Sequence, residues 1–156
     1  MKRLIIALSV LFLSSSVTAI DIESACKERD EQKKALLSKM STSYSEAFLA
    51  GQCKGFENIT YTYTYSNISF DINSFDELPN SCAEFVEKKE ALLPFISTSL
   101  SEAMLAGMCV GAIYNIANKC DSAQHIEYLK LAKSTRGLNA TKAANKIAYA
   151  VGCTEE

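Results

Sequence analysis

The chain has 156 residues, 16 of them basic and 18 acidic, with 48% hydrophobic residues and a formal net charge of −2. It is long enough for one domain with a buried core, and its acidic balance excludes a nucleic-acid surface built on net positive charge. Six cysteines beside a single histidine, His125, argue for disulfides and against a metal centre.

Residues 1–19 read as a signal peptide. Lys2 and Arg3 precede an apolar run from Leu4 to Leu13, and Val17 and Ala19 set the small-residue pattern for cleavage after Ala19. The run is too short to span a bilayer, so no membrane insertion is expected. No cysteine lies near the cut, which argues against a lipoprotein. Cleavage removes Lys2 and Arg3 and leaves 14 basic against 18 acidic residues, a net charge of −4. The compact leader has a bacterial form, which places the mature chain, residues 20–156, in the periplasm. All six cysteines lie in that mature part, and an even count in an oxidising compartment implies three disulfides.

The mature chain is organised by a duplication. Residues 26–55 align without a gap on residues 82–111, at an offset of 56, with 18 of 30 positions identical. Each copy reads as a helical hairpin. The first arm of copy one, about Glu23 to Met40, is rich in Glu, Lys, Ala and Leu. The second arms open with Ser43-Tyr-Ser-Glu46 and Ser99-Leu-Ser-Glu102, which match the capping box. Antiparallel arms bring Cys26 to Cys53 and Cys82 to Cys109, which leaves Cys120 for Cys153. Ala47, Gly51 and Gly55 recur every four residues, as do Ala103, Gly107 and Gly111. That spacing forms a smooth stripe for close helix packing, within one chain or between the two chains of a homodimer. The competing reading makes Gly55 and Gly111 helix caps.

Between the copies lies "TYTYTYSNISFDI", residues 60–72, where two period-2 runs meet. A turn at Ser66-Asn67 predicts a β-hairpin with Tyr65 facing Ile68, Tyr63 facing Phe70 and Tyr61 facing Ile72. Most of this ribbon is expected to cover the helices. Its tip and acidic flank, Tyr63, Tyr65, Asn67, Asp71, Asp76 and Glu77, are the candidate partner-binding residues. In copy two, Pro94 predicts that the first arm stops near Leu93.

Two further helices are expected, over Ser122–Lys133 and Thr141–Val151, with Asn139 or Thr141 capping the second. The fold class is therefore mostly α: duplicated, disulfide-pinned helical hairpins plus two C-terminal helices, with a small β-hairpin at 60–72.

Catalytic motifs are missing. There is no G-x-S-x-G, H-E-x-x-H or Gly-rich phosphate loop. Glu46 and Glu102 suit capping boxes better than a glycosidase carboxylate pair, and His125 reads as an ordinary surface or capping residue. No enzyme activity, cofactor or metal is expected. The triplets at Asn58, Asn67 and Asn139 are formal glycosylation sequons, without meaning in a bacterial chain.

The segments "EAMLAGMCVGAIYNIANKC" and "IEYLKLAKSTRGLNATKAANKIAYAVGC" resemble the periplasmic immunity proteins of type VI secretion, whose members neutralise amidase toxins. The likeness covers Ser99 to Cys153, and the G-x-C-x-G helix recurs at Ala47–Gly55. Asp121 follows Cys120 where that family has proline, and the front half is duplicated. The resemblance implies a helical, disulfide-containing inhibitor that occludes the cleft of a protein toxin, a peptidoglycan hydrolase such as an amidase. Two other classes compete: a periplasmic chaperone or adaptor, and a secreted effector for which Glu28, Glu31, Glu84 and Glu87 are the residues to test.

Overall fold

Local chemistry starts most of the helices. Asp21 accepts hydrogen bonds from the Ser24 amide and hydroxyl at 3.1 and 2.6 Å, which fixes the first turn of α1 (Ile22–Lys34). Ser43 and Ser99 form complete capping boxes with Glu46 and Glu102 at the heads of α2 (Tyr44–Glu57) and α4 (Leu100–Lys119). Pro79 occupies the first turn of α3 (Leu78–Glu90), where a missing amide hydrogen costs nothing. The short helix α5 (Tyr128–Ser134) and α6 (Ala140–Ala150) follow, and the Asn139 side chain caps α6 by accepting from the Lys142 amide at 2.9 Å.

The computed structural model describes residues 20–34, 43–64, 67–71, 76–91, 99–120, 122 and 126–153. The expected signal peptide, the turn of each helical hairpin, Pro94, Tyr65, Ile72 and His125 lie outside the described residues.

All three expected disulfides form. Cys26–Cys53 and Cys82–Cys109 each join the two arms of one hairpin, with the same Cα separation of 4.8 Å. Cys120–Cys153, at 5.3 Å, ties the end of α4 to the residues after α6. Such bonds are compatible with an oxidising, secreted environment.

The two hairpins dock through α2 and α4, which lie side by side. A Cβ at Gly51 would strike the Met104 carbonyl, and one at Gly107 would strike the Phe48 carbonyl. Gly55 meets the Met108 carbonyl in the same way, and Gly111 the Gln52 carbonyl. Phe48 and Met104 are equivalent positions of the repeat, as are Gln52 and Met108, so every contact has its mirror. The glycines serve this seam and not helix ends. α2 continues past Gly55 to Glu57, and α4 runs eight residues beyond Gly111.

Among the described residues, further helices cover the second hairpin. α5 and α6 pack on α3 and α4, and the main core gathers Leu78, Phe85, Val110, Ile113, Ile116, Leu131, Ala144 and Ile147. α4 is long and apolar enough to cross a bilayer, yet 67% of that stretch is buried within the protein, as befits a core helix. On the first hairpin the matching positions stay wet. Asp30 stands where copy two has Val86, and Lys54 where it has Val110.

Two expectations need correction. The helix expected from Ser122 starts only at Tyr128. Ser122 instead closes the end of α4, its amide bonded to the Ala117 carbonyl at 2.9 Å and its hydroxyl within reach of the Cys120 and Val151 carbonyls. The first arm of copy two ends at Glu90 and not near Leu93, with Ala91 already extended at ψ 132°.

Candidate partner-binding surface

The hairpin expected from the sequence forms, as β1 (Thr60–Thr64) and β2 (Asn67–Asp71). Its register differs from expectation. Tyr63 lies opposite Ile68, Tyr61 opposite Phe70 and Thr64 opposite Asn67, so Asn67 belongs to β2 and not to the expected Ser66-Asn67 turn. The displacement is two residues, which leaves Tyr61 and Tyr63 on the same face as Ile68 and Phe70.

The base of the hairpin is fixed from the core. Asn115, on α4 and only 5% exposed, donates its side-chain amide to the Ile59 carbonyl at 3.2 Å and to the Phe56 carbonyl. Phe56 belongs to the last turn of α2, whose carbonyls have no helical partner of their own. One buried amide thus ends α2 and starts β1. Ile59 itself is buried, and β2 packs beside α6. An Asn inside the apolar run "GAIYNIANK" was the sequence signal for such a role.

The fold divides the candidate residues into two groups. Tyr63 and Asn67 lie near the loop, whereas Asp71 ends β2, four residues and about 14 Å from Asn67. Asp76 and Glu77, both exposed, directly precede the fully buried Leu78. Glu77 holds the cap position of α3 without a side-chain capping bond, so its carboxylate is not spent on the helix. Asp76 and Glu77 are thus exposed acids at the head of α3.

Carboxylates elsewhere are engaged in structure. Glu102 accepts from Lys88 at 2.9 Å and from the Ser99 amide at 2.9 Å. The Lys88 bond is the chief cause that holds the Glu102 carboxyl below its ordinary range, followed by the Ser99 amide. Glu46 closes the equivalent box on α2. Glu28 accepts from Gln32, Glu31 pairs with Lys27, and Glu84 with Lys88. Glu87 instead lines the groove described next. Among the described residues, the one group of close metal-ligand atoms is Cys26, Cys53 and Glu57. It offers no thiolate, because the two sulfurs are bonded to each other, and Glu57 pairs with Arg29.

Sequence reasoning missed a second concave surface. A groove of about 670 Å³ runs between α3 and α5 over a floor of Ala83, Val86, Ala91 and Ala132. Glu87 and Glu90 form one wall, Lys133 and Arg136 the other, and Lys133 pairs with Glu90 across it. No sequence pattern marks this groove, since it exists only once α5 is placed on α3. Nearby, burial and then the neighbouring Tyr114 push the Tyr128 hydroxyl pKa well up, so Tyr128 stays a neutral phenol.

No protein-family model, curated protein or solved structure matches this chain. The functional reading therefore rests on its own residues.

Proposed function

We propose that this chain is a periplasmic immunity protein, exported by its N-terminal signal peptide. In this reading it binds a cell-wall-degrading toxin of type VI secretion, an amidase or related peptidoglycan hydrolase, and occludes its cleft. The observation that carries the reading is a locked scaffold bearing one unrepeated element. Three disulfides pin the helices, and the β1–β2 hairpin interrupts the duplication between its two copies. Inhibition by occlusion needs no catalytic group of the inhibitor, only a few well-placed anchors. A scaffold held rigid before binding loses less conformational freedom on association. The family resemblance of residues 99–153 supplies the toxin class.

The test is a pull-down of the purified chain against the product of the adjacent gene, paired with a growth assay. Cells that carry that product in the periplasm should die alone and survive when this chain is co-expressed. Survival without binding, or binding without protection, rejects the reading.

A periplasmic adaptor that holds client segments is the second reading, favoured by the apolar floor of the α3–α5 groove. It requires binding to several unrelated clients, where an immunity protein binds one toxin.

A further inference from the structure

The groove between α3 and α5 grows from one helix face. Ala83, Val86, Glu87, Glu90 and Ala91 recur at spacings of three and four, so they share one side of α3 along about 12 Å. α5 packs on α3, adds Ala132 to the floor and sets Lys133 and Arg136 on the far side. The floor is thus apolar and built of small side chains, while the two walls carry opposite charge. Glu87, Glu90, Lys133 and Arg136 are all exposed. Glu90 and Lys133 pair across the groove, but both side chains are about half exposed, and pairs of that kind hold weakly. Among the described residues, the side chains of Glu87 and Arg136 have no hydrogen-bond or ion-pair partner. The buried Thr135 hydroxyl is spent on the Ala132 carbonyl, at 2.8 Å.

We infer that this groove binds a short peptide of small residues with both ends free. Its terminal ammonium lies against Glu87 and Glu90, and its terminal carboxylate against Arg136 and Lys133. The charges decide the class of ligand. A polyanion or a polycation is attracted by one wall and repelled by the other. A purely apolar ligand strips water from Glu87 and Arg136 and returns no hydrogen bond. A zwitterion satisfies both walls: a guanidinium offers a carboxylate two parallel hydrogen bonds, and an ammonium brings three donors to the opposing carboxylates. Three extended residues span about 10 Å, which fits the length of the groove. Its volume of about 670 Å³ lies within the range of small-ligand pockets. Methyl-sized side chains suit a floor of Ala83, Val86 and Ala132. The site lies beyond the head of α3, so it does not depend on what Asp76 and Glu77 bind. It also differs from a groove for client segments, because a segment inside a longer chain has no charged ends.

Trialanine with free ends, titrated into the disulfide-bonded chain and followed by backbone amide NMR shifts, tests this. Shifts should concentrate at residues 83–91 and 132–136 and give a dissociation constant of about 0.1–5 mM, the range of a small ligand in an open site. N-acetyl-trialanine amide, which lacks both charges, should bind at least about tenfold more weakly. Arg136→Gln should bind trialanine about tenfold more weakly than wild type and discriminate less between it and trialanine amide. Glu87→Gln should discriminate less between trialanine and N-acetyl-trialanine. Both side chains are exposed and unbonded, so both variants keep the fold, and the capped-peptide comparison needs no variant. The inference is overturned by an absence of shifts at these residues up to about 10 mM peptide. Equal binding of the capped peptide, which would mark an apolar client surface, also overturns it, as do variants that discriminate as wild type does.

Discussion

Arg29 and Glu57 form an ion pair between α1 and α2 at the positions where the second copy carries Phe85 and Ile113. Phe85 and Ile113 are buried in the core under α5 and α6, while the ion pair keeps to the solvent side of the first hairpin. The same two sites thus carry opposite chemistry according to what covers them. Arg29→Ala should cost no more than about 1 kcal/mol, the range of a partly exposed pair. Phe85→Ala should cost about 3–5 kcal/mol through the cavity it leaves. Urea unfolding of both variants checks the contrast, and equal losses would refute it.

The glycine seam makes a second claim. Gly51→Ala and Gly107→Ala each drive a methyl into a backbone carbonyl of the facing helix. Alanine favours a helix over glycine by up to about 1 kcal/mol, but overpacking against backbone costs about 1–3 kcal/mol or more. Both variants should melt at lower temperature than wild type, and by similar amounts, since the contacts are mirrored. A rise in melting temperature for either would show that the helices are not closely packed there.

Replacing Cys120 and Cys153 together by alanine opens a loop whose ends lie 33 residues apart in sequence. The expected loss is about 2–4 kcal/mol. Hydrogen exchange should quicken first in α6, which this bond ties to α4. Uniform exchange across all helices would contradict this assignment.

Acid should weaken the join between α3 and α4. The folded-state pKa of Glu102 is lowered from its ordinary 4.5, chiefly by the Lys88 hydrogen bond, and that of Lys88 is raised from 10.5, chiefly by Glu102. A lowered carboxyl contributes stability that is complete above 4.5 and is lost as pH falls through the folded value. A raised ammonium contributes below 10.5 and loses its share as pH climbs through its own folded value. The pair therefore acts fully between those limits. Glu102→Gln should flatten part of the acid limb of a stability–pH curve, leaving the share of Asp21, whose pKa is also lowered, chiefly by the Ser24 hydroxyl. An unchanged acid limb would show that the pair does not contribute.

If the exposed acids at the head of α3 meet the toxin, Asp76→Lys and Glu77→Lys should weaken binding while the stability stays within about 0.5 kcal/mol of wild type. Both residues are exposed and hold no structural bond through their side chains in α3. Isothermal titration against the toxin reads the effect. Unchanged affinity in both variants would move the contact to the hairpin tip or the α3–α5 groove.

The sequence carried the duplication, both capping boxes, the seam glycines and all three disulfides, because each is written in local spacing or in the offset of 56 residues. It misplaced the hairpin turn for a definite reason. Period-2 patterning distinguishes registers that differ by one residue, which exchange the two faces, but not those that differ by two. Ser66-Asn67 looked the better turn, and nothing in Thr-Tyr alternation argued against it. The false start of α5 has another cause. Cys120 is tied to Cys153 and the Ser122 hydroxyl is bonded to the Val151 carbonyl, so at Ser122 tertiary bonds overrode local helix preference. The candidate surface was legible only as a stretch of sequence. That Asp71 sits at the far end of β2, about 14 Å from Asn67, depended on the strand register.

The mirrored seam sets a limit on copy number. Gly51 needs the Met104 carbonyl and Gly107 needs the Phe48 carbonyl, so each hairpin is at once donor and receiver on the same face. A head-to-tail contact would leave a free face at each end and permit a third unit to add, as in solenoid arrays. Here both faces are consumed by the first pairing. A third hairpin would find this seam already saturated.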